Sequence, residues 1–202
     1  MPKPYIIQEP RQIAALASPA RQEIVDAAQS LGACSIAEIA RALGRAPDSL
    51  YYHVRALLRV GLLVEAGSRP GRRRPEALYR TPGSPMRLDR KPRQRPALGR
   101  VSGAMLRIAS RDLQSGIRRS TSRLEGPARN TYSARYTARL TDAQLADLNQ
   151  RIDRLMQSVL RAPADENGHP ISLTVVLAPA RPRRTGQTRP SQPRNDRSKE
   201  SA

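Results

Sequence analysis

Residues 35–62 read SIAEIARALGRAPDSLYYHVRALLRVGL, and the way this stretch folds decides how the remainder is arranged. Ile36, Ile39, Ala40 and Leu43 recur at helical spacing, and Ser35 stands at the N-cap with Glu38 three residues on, the pattern of a capping box. Gly44 ends that helix. Pro47 then suits the first turn of a second helix, where its missing N–H is no loss. In that second helix Leu50, Val54, Leu57 and Leu58 form one apolar stripe. The opposite face carries Asp48, Ser49, Tyr51, Tyr52, Arg55 and Arg59, with no lysine or glutamate among them. A short helix, a tight turn and a second helix with a hydrogen-bonding outer face make a helix-turn-helix, whose second helix enters the DNA major groove.

The residues beyond Val60 extend this pattern. Gly61 closes the second helix, LLVEAG reads as a strand, SRPGRRRP as a turn and EALYRT as a returning strand. The result is a hairpin with a basic tip, so the unit is expected to be a winged helix with its wing on the sugar-phosphate backbone. Arg69, Arg72, Arg73 and Arg74 are the candidate phosphate contacts. On the helix, consecutive positions diverge by about 100°, so Tyr51 and Tyr52 cannot both enter the core and at least one is expected to face DNA. Asp48 either accepts from a cytosine amino group or favours the helix start through the dipole. Ser49 and Arg55 are candidates for base or phosphate contact, and Ser35 and Arg45, beside the first helix, complete the candidate DNA-binding set.

The composition agrees with a polyanionic partner. The 202 residues carry 36 Lys and Arg against 17 Asp and Glu, a net charge of +19. Residues 1–82 hold 12 basic and 7 acidic groups, 83–100 hold 6 and 1, 101–178 hold 11 and 7, and 179–202 hold 7 and 2. The excess relative to length therefore lies in a connector and a tail, where solvated flexible chain is the alternative reading. A single cysteine, Cys34, excludes an intramolecular disulfide and a thiolate metal cluster within one chain. No apolar run approaches the roughly 18 residues of a membrane helix, and the N-terminus lacks the apolar core of a signal peptide. A soluble, unexported protein of the reducing cytoplasm is expected.

In chain order, residues 1–9 read as a loose arm and RQIAALA, from Pro10, as a short helix. Ser18-Pro19 opens a further helix, PARQEIVDAAQSL, ended by Gly32. Ile13, Leu16, Ile24, Val25, Ala28 and Leu31 are expected to pack on Ile39, Leu43, Val54 and Leu57. A small extra pairing strand falls near residues 33–35, and the first domain closes near Pro82.

The run ALASPARQEIVDAAQSLGACSIAEIARALGRAPDSLYYHVRALLRVGLLVEAG resembles the winged-helix domain of ArsR-like bacterial transcription regulators, over about residues 10–82. The marks are the A-L-x-S-P-x-R opening, the S-x-A-E-I-A-x-x-L-G positioning helix and the Y-x-H-x-x-x-L-x-x-x-G-L recognition helix. Metal-sensing members carry cysteines in the positioning helix, whereas IAEIARAL here has no ligand. The resemblance thus implies DNA binding without naming the signal, and it implies dimerisation through a helix placed after the wing.

Residues 83–97 read as a basic, Pro-rich connector. From Leu98 a long helix carries Val101, Met105, Ile108, Leu113 and Ile117, and it either pairs with a second copy or packs on its own domain. SARYTARL, residues 133–140, reads as a strand. Thr141-Asp142 caps a helix with Leu145, Leu148, Ile152, Leu155, Met156, Val159 and Leu160 on one face, and ISLTVVLA, residues 171–178, reads as a second strand. The expected class is α+β, mainly α: a winged helix-turn-helix over 1–82, the connector, a small α/β dimerisation and possible effector domain over 98–178, and a disordered basic tail over 179–202.

Little in the chain fits an enzyme, and none is expected. No P-loop or dinucleotide glycine fingerprint is present, and the two histidines, His53 and His169, lie far apart in sequence. Cys34 reads as a small buried residue, with redox sensing as the alternative. No metal or other cofactor is expected. The partners expected are duplex DNA, a second copy of the chain and a small organic effector or partner protein engaging residues 98–178; the absence of any effector is the alternative. Two functions compete: a sequence-specific transcription regulator, and a nucleoid-associated or RNA-binding structural protein with little sequence preference. The varied recognition face favours the first.

Overall fold

The computed structural model describes residues 4–71, 75–89, 91, 95–162 and 168–180. Among these, the chain runs β1 (Tyr5–Ile7), α1 (Pro10–Ala15), α2 (Pro19–Leu31), α3 (Ile36–Leu43), α4 (Asp48–Arg59), β2 (Val64–Arg69), β3 (Glu76–Arg80), β4 (Met86–Leu88), α5 (Arg95–Ile117) and α6 (Asp142–Leu160). The class is α+β and mainly helical, with a helix-turn-helix at the N-terminal end.

The core is formed by the apolar faces anticipated from spacing, except that Leu31, at the end of α2, is 45% exposed. Ile13 of α1, Ile24 of α2, Ile39 of α3, and Leu50 and Leu57 of α4 are fully buried, and Leu62 and Leu63 seal the base of the hairpin. Each such side chain contributes roughly 1.5–3 kcal/mol on leaving water. Helix starts and stops follow local chemistry: the Ser35 hydroxyl accepts from the Glu38 N–H at 3.2 Å, and the Glu38 carboxylate accepts from the Ser35 N–H at 2.8 Å. Gly44 ends α3 at φ 62°, ψ 36°, a left-handed position that glycine occupies without a Cβ penalty. β2 and β3 pair antiparallel, with an irregularity between Glu65 and Ser68. The anticipated extra strand is an isolated bridge: the Cys34 N–H donates to the Tyr79 carbonyl at 2.9 Å and the Tyr79 N–H returns the bond at 2.7 Å.

The structure corrects three expectations. The N-terminal arm is not loose, because β1 pairs in parallel with β4, Ile7 opposite Leu88, and buries Ile7 in the core. For the same reason residues 83–97 are not a plain connector: Met86–Leu88 is a strand, and its Met86 N–H donates to the Gln29 side chain at 2.9 Å. α5 begins at Arg95, and Val101 and Ala104 are buried where it packs on α1 and α2. Gln22 holds it there, its amide donating to the Leu16 carbonyl at 2.6 Å and the Val101 carbonyl at 2.9 Å.

The second half of the chain also departs from expectation. α6 has its capping box, with the Thr141 hydroxyl accepting from the Gln144 N–H. Residues 133–140 and 171–178, expected as strands, have no strand pairing, so no α/β domain is completed among the described residues. Two strands are too few to hold a sheet in water without further strands or a covering layer. The expected disordered tail over 179–202 lies outside the described residues from 181 onward.

Candidate nucleic-acid interface

α4 presents the anticipated surface. Leu50, Val54 and Leu57 point into the core, while Asp48, Ser49, Tyr51, Tyr52, Arg55 and Arg59 are exposed. Tyr52 projects further of the two tyrosines at 69% exposure, against 48% for Tyr51, so both belong to the outer face. The Ser49 hydroxyl donates to the Ala46 carbonyl at 2.7 Å, which leaves its lone pairs outward. His53 lies beneath, half-buried, with its ring edge-on to Tyr52 at 5.5 Å. Burial, and then the nearby Arg21 and Arg45 charges, push the His53 pKa down, which disfavours the imidazolium form.

The remaining candidates divide sharply. Ser35 is buried and its hydroxyl caps α3, so it supports the positioning helix from inside. Arg45, in the turn, is bound to Glu23 of α2 at 2.5 Å. Arg69 is held between Glu38 of α3 and Glu76 of β3, each at 2.9 Å, which ties the wing to the positioning helix. Hydrogen bonds from Arg69 and from Ser35 hold the Glu38 carboxyl below the usual carboxylate range. Arg72, Arg73 and Arg74, expected at the tip, lie outside the described residues.

Sequence reasoning missed Glu23, Glu38 and Glu76 as the anchors of these arginines. Glu23 carries no local signal, since its partners are 22 and 88 residues away. The 35–38 spacing did mark Glu38, but only as a cap residue.

A helix of eight residues, the four-residue turn 44–47 and a helix of twelve residues, with the second helix's polar face bare, make up the geometry. Residues 16–66 match the family model described as a helix-turn-helix domain. That stretch runs from the end of α1 into β2, and such a domain implies DNA binding. No curated protein matches the chain. Among the described residues no three histidine, cysteine, aspartate or glutamate side chains converge as a metal site. No described helix is long and apolar enough to cross a membrane. Along α6 there is a shallow concavity lined by Asp153, Arg154, Gln157, Ser158 and Arg161, walled by that one helix. Open along a single helix, it does not enclose an organic ligand as a binding pocket does.

Proposed function

We propose that this chain is a cytoplasmic, nucleoid-bound transcription regulator of the ArsR-like kind, acting by binding and not by catalysis. A homodimer would set α4 of each copy into the major groove and lay each β2–β3 wing along the backbone. The outer face of α4 carries the reading: an acid, a hydroxyl, two phenols and two guanidinium groups on one exposed stripe. Such a face discriminates base edges, whereas a binder indifferent to sequence needs only cations toward phosphate.

In this reading Tyr51, Tyr52, Ser49, Asp48 and Arg55 meet the bases or the adjoining phosphates, and Arg72–Arg74 meet the wing-side backbone. Arg45 and Arg69 act indirectly, by holding the turn and the wing at fixed positions relative to α3. The signal, where there is one, is an organic molecule or protein engaging residues 98–178.

Footprinting on the promoter of the chain's own operon tests this. The expected result is two protected half-sites spaced by about one helical turn, roughly 34–36 Å. Equal affinity for all duplexes at matched salt would overturn it in favour of a nucleoid-associated structural role.

A further inference from the structure

α6 is a well-started helix whose apolar face is only partly covered, with Leu148, Ile152 and Met156 half-buried. Its cap is complete, yet none of its residues is buried, and Leu145, Leu155 and Val159 stand 39%, 47% and 45% exposed. The flanking segments share this property: Tyr136 is 87% exposed, Ile171 56% and Leu177 50%.

The two segments carry a two-residue period that only a sheet uses. Over 133–140, Ala134, Tyr136, Ala138 and Leu140 fall on one face and Ser133, Arg135, Thr137 and Arg139 on the other. Over 171–178, Ile171, Leu173, Val175 and Leu177 share a face, and Ser172, Thr174, Val176 and Ala178 the other. Each copy thus owns one apolar helix face and two segments of strand-like pattern that remain unpaired among the described residues.

We propose that the occupant of these surfaces is a second copy of the same chain, whose 133–140 and 171–178 segments join those of the first in one intermolecular sheet, covered on its apolar side by α6 of both copies. This rests on the homodimeric reading above and specifies its core. Two copies bring four strands and two helices, a two-layer unit with more than the three strands an independent sheet needs. The area is also sufficient. Nine large apolar side chains of these surfaces, from Tyr136 to Leu177, are 37% to 87% exposed. That is on the order of 800 Å2, matching the roughly 800 Å2 per partner of a stable interface. Charge opposes the union only weakly, since residues 101–178 hold 11 basic and 7 acidic groups, a small share of the chain's net charge of +19. Polar Arg135 and Arg139 would lie on the sheet's open face, in water.

The test is light scattering of the full chain without DNA, combined with amide hydrogen exchange at two concentrations. A dimer is expected in which amides of 133–140 and 171–178 are protected, with that protection vanishing when the protein is diluted to monomer. Leu155→Asp with Val159→Asp should abolish both dimer and strand protection while α3 and α4 amides stay protected, which shows that the helix-turn-helix remains folded. Val175→Pro, which removes one ladder donor, should give the same loss without altering α6. A dimer whose two segments exchange freely overturns the shared sheet and leaves the dimeric reading standing. A monomer overturns both, and strand protection that survives dilution to monomer shows pairing within the chain and overturns the proposal. Failure to footprint an operator bears on sequence-specific binding alone.

Discussion

Arg111 of α5 donates to Glu23 of α2 across 2.5 Å, joining positions 88 residues apart. The other Glu23 oxygen receives Arg45 from the turn between α3 and α4, also at 2.5 Å. Glu23 is almost fully buried, while its arginine partners are 31% and 50% exposed. One carboxylate therefore ties the helix after the wing to the joint that aims α4.

Removing the acid leaves two arginines that can turn to water. Removing both arginines strands a buried carboxylate, which costs more. Glu23→Gln should cost about 1–2 kcal/mol, reduced from the fully buried case because the arginine ends are solvent-screened. Arg45→Ala with Arg111→Ala should cost more at neutral pH. Chemical denaturation at neutral pH checks the difference, and equal costs for the two variants would contradict it.

Ser35→Ala should lower stability by roughly 0.5–2 kcal/mol through loss of the α3 cap. The sequence preference of DNA binding should not change, because the hydroxyl is buried. Thermal melting paired with competition between operator and random duplex separates the two effects.

Tyr52→Ala should weaken operator binding by about 1–3 kcal/mol while leaving random DNA nearly unaffected. Arg72→Ala with Arg73→Ala should weaken every duplex alike and reduce the salt slope by roughly one for each phosphate no longer engaged. Titrations across a salt series read both, and identical behaviour of the two variants would remove the division of labour.

Acid should loosen the wing. The folded Glu38 pKa is depressed, first by the Arg69 hydrogen bond. Its contribution is therefore present above the unfolded glutamate value and is lost as pH falls through the lower folded value. In Arg69→Ala this acid sensitivity should shrink, seen as a shallower fall in melting temperature between pH 5 and pH 3.

Zinc, copper and arsenite should leave operator affinity unchanged. Cys34 is 2% exposed, and burial, with Glu38 next, pushes its thiol pKa up, so the thiolate that would bind a soft metal is disfavoured. Release from the operator by micromolar zinc or arsenite would overturn this.

Local pattern accounts for most of the first 82 residues. The cap at Ser35, glycine stops at Gly32, Gly44 and Gly61, and the apolar stripe of α4 depend on neighbours within a turn of helix, and their periods are written in the chain, as is the Thr141 cap of α6. So is the outer face of α4, the complement of that stripe. Pairings between distant residues follow another logic. That Ile7 joins Leu88, that Arg45 and Arg111 share Glu23, and that Arg69 bridges Glu38 and Glu76 depend on how helices and strands dock, which no spacing encodes. The same reason separates the strand-like 133–140 and 171–178 from actual strands: alternation prescribes a face, but a strand exists only where another backbone answers its hydrogen bonds.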